Sequence, residues 1–296
     1  MFRFKFLIRS NIIAISFFIT ALTASAQQTI RPIAMQPEWT QDYPPFRIVG
    51  NVYYVGSYDL ACYLITTPKG HILINEGVAG LAPMIHKHVE ELGFKFTDIK
   101  VLLTNQAHFD HVGDLAAIQK QTGAKVMVDA GDAEVLADGG NSDYVFGGQG
   151  PTFEPVKADR LLHDHDIIRL GNVQIEALHH PGHTKGSSSF LLSTNDRQRT
   201  WKVLIANMPS ILDQTKLSGM PGYPNVGNDY AYTLKTMKNL HFDIWLAAHS
   251  SQFNLQEKHH SGDPYNPAAF VDQKGYNEAL NTLQMAYDEK LREKSK

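Results

Sequence analysis

The sequence predicts an α/β protein in which two mixed sheets pack face to face with helices on the outside. Each half of the chain opens on short apolar strands joined by turn signals, then passes into strand–helix alternation, the layout of a sheet with helices on one face. With 296 residues, 43% of them hydrophobic, the chain can bury a large core, and no linker-like stretch divides it.

The first segment reads as processing sequence. Arg3, Lys5 and Arg9 precede an apolar run from Ile12 to Leu22, and Ala24-Ser25-Ala26 supplies small residues for cleavage. That run is shorter than the ~20 apolar residues a membrane-spanning helix needs. Residues 1–26 are therefore expected to be a signal peptide and 27–296 the mature domain, periplasmic and without stable membrane association once cleaved. Export makes cysteine usage informative: Cys62 stands alone, so no internal disulfide can form, and Ala61-Cys62-Tyr63-Leu64-Ile65 marks it as a buried packing residue. A formal net charge of −3 argues against nucleic acid or an anionic membrane as partner. The expected partner is a small molecule, and the expected state a monomer.

Along the mature chain, residues 27–45 are polar and proline-rich and read as an irregular arm. Strand patterns follow at 52–55, 61–66 and 71–75, the last two joined by a Pro68-Lys69-Gly70 turn. Residues 81–92 have helical spacing and stop at Gly93, and the β-branched run 99–104 reads as a buried strand. A helix at 115–122, a strand at 124–128 and a short helix at 130–136 continue the alternation. The glycine-rich stretch 137–158 reads as a long surface loop, with Tyr144 and Phe146 either covering a site or merely exposed. The second half repeats the theme: strands at 166–170, 173–179, 187–192 and 203–206, then helices at 230–240 and 273–290 around a strand at 244–248.

Chemistry concentrates at strand ends. Gln106-Ala107-His108-Phe109-Asp110-His111 follows the buried strand and puts four metal-capable side chains on the loop after it. His179-His180-Pro181-Gly182-His183 follows a second strand, and Leu246-Ala247-Ala248-His249 ends a third. Imidazole and carboxylate are both good zinc ligands, and three such strand ends can converge on one rim. His86, His88, His163, His165, His259 and His260 fall on a helix, a turn and a polar loop and read as solvated or hydrogen-bonded. His179 and His180 read as supports rather than ligands.

With these motifs, nearly the whole mature chain resembles the metallo-β-lactamase superfamily. The family motif His-x-His-x-Asp-His departs here at its first position, where Gln106 stands. Together with Pro181-Gly182-His183-Thr184 and Ala206-Asn207-Met208-Pro209-Ser210, this resembles the glutamine-variant, GOB-type branch of subclass B3 metallo-β-lactamases. The resemblance implies a four-layer αβ/βα sandwich, with residues 27–296 as the catalytic domain. It implies one or two Zn2+ per chain, the first site formed by Gln106, His108 and His183 and the second by Asp110, His111 and His249. Met208 stands where other subclasses use a cysteine ligand. An amide oxygen is a weaker zinc donor than imidazole, so the second site is expected to fill first.

The implied activity is hydrolysis of the lactam amide of penicillins, cephalosporins and carbapenems by a zinc-activated water, conferring antibiotic resistance. Asp110 would ligate zinc and orient that water or pass its proton; Ser210 and, more weakly, Lys185 would meet the substrate carboxylate. Serine chemistry is excluded, since no Gly-x-Ser-x-Gly or Ser-x-x-Lys occurs. Two alternatives stay open: a lactonase or thioester hydrolase of the same superfamily, and a non-catalytic zinc-binding periplasmic protein.

Overall fold

The computed structural model describes residues 1–2 and 29–293, so the leader expected at 1–26 lies, but for its first two residues, outside the described residues. The first sheet has seven strands in sequence order: β1 (Phe46–Val49), β2 (Val52–Tyr54), β3 (Tyr63–Thr67), β4 (Gly70–Ile74), β5 (Ile99–Leu103), β6 (Lys125–Asp129) and β7 (Arg160–Leu162). It is antiparallel up to β4 and parallel from β4 to β7. The second has five: β8 (Ile167–Leu170), β9 (Val173–His179), β10 (Ser188–Asn195), β11 (Thr200–Ala206) and β12 (Ile244–Ala247). There β8 to β11 are antiparallel and β12 lies parallel to β11. The helices are α1 (Ala82–Glu91), α2 (Phe109–Val112), α3 (Leu115–Thr122), α4 (Ala133–Ala137), α5 (Val226–Met237), α6 (Leu255–Lys258) and α7 (Gln273–Glu293).

The period-2 alternation of strands builds the layers. In β3 and β4, Tyr63, Ile65, Ile72 and Ile74 face the second sheet, where they meet a core containing Phe190, Leu192, Val203, Ile205 and Trp245. Leu64 and Leu73 point the other way, into a second core with Ile85, Val89, Leu115 and Ile118 of α1 and α3. This is the expected helix–sheet–sheet–helix sandwich. In α1 the buried residues Ala82, Ile85, His88 and Val89 form one helical stripe, and Gly93 (φ 84°) ends it in the left-handed conformation that costs glycine least. No described helix is long and apolar enough to cross a membrane.

The structure departs from the sequence reading in short elements. β1 and β7, of four and three residues, were not expected, because edge strands so short carry no readable alternation. The helix expected at 130–136 is a 3-10 turn, Ala130–Asp132, that gives way to α4. The metal motif is not a plain loop. His108 caps α2, whose first turn closes through backbone bonds from His111 and Val112 to the His108 carbonyl (2.9 and 3.0 Å). That turn lets six consecutive residues present donors in two directions. Because β5, β9 and β12 all end on one rim, the three segments with donor-capable side chains meet there.

Candidate metal centre

Asp110, His111 and His249 each offer a donor atom, and the three atoms lie within 4.8 Å of one another. Asp110 Oδ2 stands 3.4 Å from His111 Nε2 and 3.3 Å from His249 Nε2. Next to them, His108 and His183 face each other with ring centroids 4.9 Å apart. Gln106 completes this second group: its Oε1 is buried and has no hydrogen-bond partner, and neither ring nitrogen of His111 has one. Buried polar atoms are almost always satisfied, so orphaned acceptors at this rim fit a metal ion as the missing partner.

Each remaining histidine has one nitrogen engaged, which aims the other. Asp59 accepts from His249 Nδ1 (2.9 Å), leaving Nε2 toward Asp110. The Ser210 carbonyl accepts from His183 Nδ1 (2.7 Å) and is held in turn by the Tyr230 hydroxyl (2.9 Å). Asp143 pairs with His108 Nε2 (3.1 Å), leaving Nδ1 as the donor. The charges agree with ligation. Burial alone would raise Asp110, but His111, His249 and His108 hold its carboxyl well below the usual range. Burial holds His111 down at about 3 and His183 at about 4, so both imidazoles are neutral and able to ligate. His249 overcomes its burial through Asp110 and Asp59 and stands at about 9, so a metal entering there displaces a proton.

The donors open into a cleft of about 230 Å³. Trp39, Phe109, Phe146, Met208 and Leu212 form apolar walls; Ser210, Asn207 and Gln252 add polar groups. A larger groove, about 480 Å³, lies at the opposite strand ends around Arg47, Asn51, Thr67 and Asn172, far from every donor, so chemistry rather than size identifies the site. Of the sequence candidates, Gln106, His108, Asp110, His183, Ser210 and His249 line the cleft, and His111 lies behind it, 1% exposed. Lys185 does not line it. His179 and His180 are engaged by Asp129 (2.8 Å) and Ser189 (2.7 Å). His88 is buried between the Val55 carbonyl and Asp42, and Cys62 is buried and free.

Comparison with known proteins agrees with this geometry. Residues 60–195 match the family described as the metallo-beta-lactamase superfamily. Among curated relatives, a probable metallo-hydrolase of Bacillus subtilis is 28% identical over 48% of this chain and 64% of its own length. An acyl-coenzyme A thioesterase of Gallus gallus is 28% identical over 47% and 50%. The chain thus spans about half to two thirds of these relatives. Solved structures cover more. A beta-lactamase from Chitinophaga pinensis is 60% identical, covers 89% of this chain and 100% of its own, and superposes with a TM-score of 0.88. The class B3 di-zinc metallo-beta-lactamase LRA-12 from an Alaskan soil metagenome is 56% identical over 89% and 100%, with TM-score 0.87. The metallo-beta-lactamase GOB-18 from Elizabethkingia meningoseptica is 52% identical over 90% and 100%, with TM-score 0.89. The chain belongs to the class B3 metallo-β-lactamase family.

In this chain, sequence reasoning missed the groups that aim the candidate donors. Asp59 and Asp143 sit alone in turns with no motif around them. Trp39 lies in the arm, where its ring reaches Phe109 (6.1 Å) and His249 (6.4 Å). No local pattern marks any of the three.

Proposed function

We propose that this protein is an exported zinc β-lactamase that opens the lactam ring of penicillins, cephalosporins and carbapenems. One observation carries the reading: Asp110, His111 and His249 converge beside the partnerless Gln106 Oε1 in a chain 60% identical to a β-lactamase along all of that protein's length. Gln106, His108 and His183 would hold one zinc; Asp110, His111 and His249 would hold the other. Zinc in these positions supplies an activated water at neutral pH and polarises the lactam carbonyl. Three neutral donors bind zinc more weakly than a set with a carboxylate, so the Asp110 site fills first and the Gln106 site only at higher zinc.

The protein's own groups do the rest. Asp110 accepts a hydrogen bond from the attacking water and passes the proton to the amide nitrogen as the carbon–nitrogen bond breaks. Among the described residues no lysine or arginine lines the cleft, so the substrate carboxylate meets the Ser210 hydroxyl and the carboxamides of Asn207 and Gln252. Trp39, Phe109 and Phe146 pack on the fused rings and keep bulk water out. We place the mature protein in the periplasm on the strength of its leader-like N-terminal sequence, and take it to act as a monomer because one chain supplies every candidate donor.

The test is hydrolysis of one penicillin, one cephalosporin and one carbapenem by purified mature protein, with and without chelator, beside a lactone and an acyl thioester. Chelator-sensitive ring opening restored by zinc is expected. Turnover of the thioester or lactone alone would move the protein to another branch of the superfamily, and turnover of none would leave a zinc-binding protein without catalysis.

A further inference from the structure

The two donor sets differ in charge. Gln106, His108 and His183 are all neutral donors, whereas the second set contains the Asp110 carboxylate. A dication held by neutral ligands gains from a negative charge nearby, because Coulomb attraction is strong where water is excluded.

Asp132 supplies such a charge. It is 0% exposed and lies in the 3-10 turn between β6 and α4. Its Oδ2 accepts from the backbone N–H of Ala107 (2.8 Å), the residue between Gln106 and His108, and from the Thr184 hydroxyl (2.7 Å), the residue after His183. Its Oδ1 accepts from the Gly186 N–H (2.7 Å). One carboxylate therefore joins the segment bearing Gln106 and His108 to the segment bearing His183.

The backbone is shaped for this contact. A Cβ on Gly186 would fall 2.3 Å from the Asp132 nitrogen, and one on Gly131 would fall 2.4 Å from the Lys185 carbonyl oxygen, so only glycine permits the two turns to lie this close. The arrangement is costly as pure structure. None of the described cations pairs with Asp132, burial pushes its carboxyl up to about 6, and a buried charge without a cation is destabilising unless something offsets it.

We propose that Asp132 is a positioning residue of the first zinc site: its carboxylate sets the spacing of Gln106 and His108 against His183 and, with Asp143 on His108, adds negative charge beside a donor set that is itself neutral. This rests on the reading that those three residues hold a zinc.

The test is zinc binding by the full mature protein, stripped of metal and titrated against a competing chromophoric chelator, with the metal-free melting temperature recorded alongside. Asp132→Asn keeps the shape but turns one acceptor into a donor facing an N–H. It is expected to weaken the looser of two zinc sites about 10- to 100-fold while the tighter site stays within about threefold. Thr184→Val removes one donor, leaves the carboxylate and should shift the looser site in the same direction by less. Selective loss of the looser site cannot come from general destabilisation, which would weaken both sites together with the metal-free fold. Equal shifts at both sites, or no shift in either variant, overturn the role of Asp132. A wild-type protein that takes up one zinc at every concentration overturns the first site itself, and so is distinguished from failure of Asp132 alone.

Discussion

At His249 a side chain from the end of β12 is aimed by Asp59, 190 positions earlier in the chain. Burial works against ionisation of Asp59, yet its contact with His249 holds the carboxyl at about 2, so it carries a full charge at neutral pH. Asp59→Ala should weaken the Asp110–His111–His249 site about 10- to 100-fold in a chelator-competition titration, and an unchanged affinity would show that packing alone orients the ring. Gln106 can be tested in both directions. Gln106→Ala should lower zinc content at the looser site, and Gln106→His, by replacing an amide oxygen with imidazole, should tighten it. The candidate donors that the structure brings to one rim were legible in the sequence because they crowd into one motif and recur at strand ends. Asp59, Asp132 and Asp143 were not, since a solitary aspartate in a turn looks the same whether it caps a backbone or holds a metal ligand.

Between residue and fold stand the elements that carry these groups, and the glycine-rich segment 137–158 is the clearest case. Its sequence leaves open a cover over the site or a plain surface loop; in the structure Asp143 ties it to His108, and the Tyr144 hydroxyl donates to the carbonyls of Gly182 (3.1 Å) and His183 (3.2 Å). From outside, the arm holds it too: Arg31 donates from its backbone to Pro151 (2.7 Å) and from its guanidinium to the Phe146 carbonyl and to Gln149. Losing the two guanidinium bonds, each worth about 0.5–1.5 kcal/mol, frees the Phe146 wall; Arg31→Ala should therefore change KM about three- to tenfold with a smaller effect on kcat. At the far rim, Asp196 in the β10–β11 hairpin accepts from the backbones of Arg199 and Gln198, which lower its carboxyl to about 2. Its ordinary value is near ~3.9, so the contribution to hairpin stability is present above about pH 4 and is lost as pH falls toward 2. An NMR titration of the carboxyl should place its midpoint near 2, and a midpoint near 4 contradicts the turn geometry. Elements with a strong period, such as α3 and β9, could be read from sequence almost to the residue. β1, β7 and α2 could not, because they span less than about two helical turns or two strand repeats and are fixed by neighbours instead.

Over the whole molecule, the donors come from both sheets: Gln106 to His111 follow β5 of the first, while His183 and His249 follow β9 and β12 of the second. A ligand that binds only the folded state at 1,000 times its dissociation constant adds about 4.1 kcal/mol, and in a domain of this size each kcal/mol moves the melting point about 2–4 °C. Stripping the zinc should thus lower the melting temperature by roughly 10 °C, and a change of about 1 °C would mean the rim is preformed and barely strained without metal. The two-sheet plan was readable because hairpins followed by alternation occur twice; the way the halves meet was not, since pairs such as Tyr63 with the Ala247 carbonyl (2.6 Å) leave no trace in local pattern. This shared rim also sets an order of assembly. Neither half alone owns a complete donor set, so a growing chain cannot complete the Gln106 set until the segment after β9 is in place, nor the Asp110 set until β12 has docked.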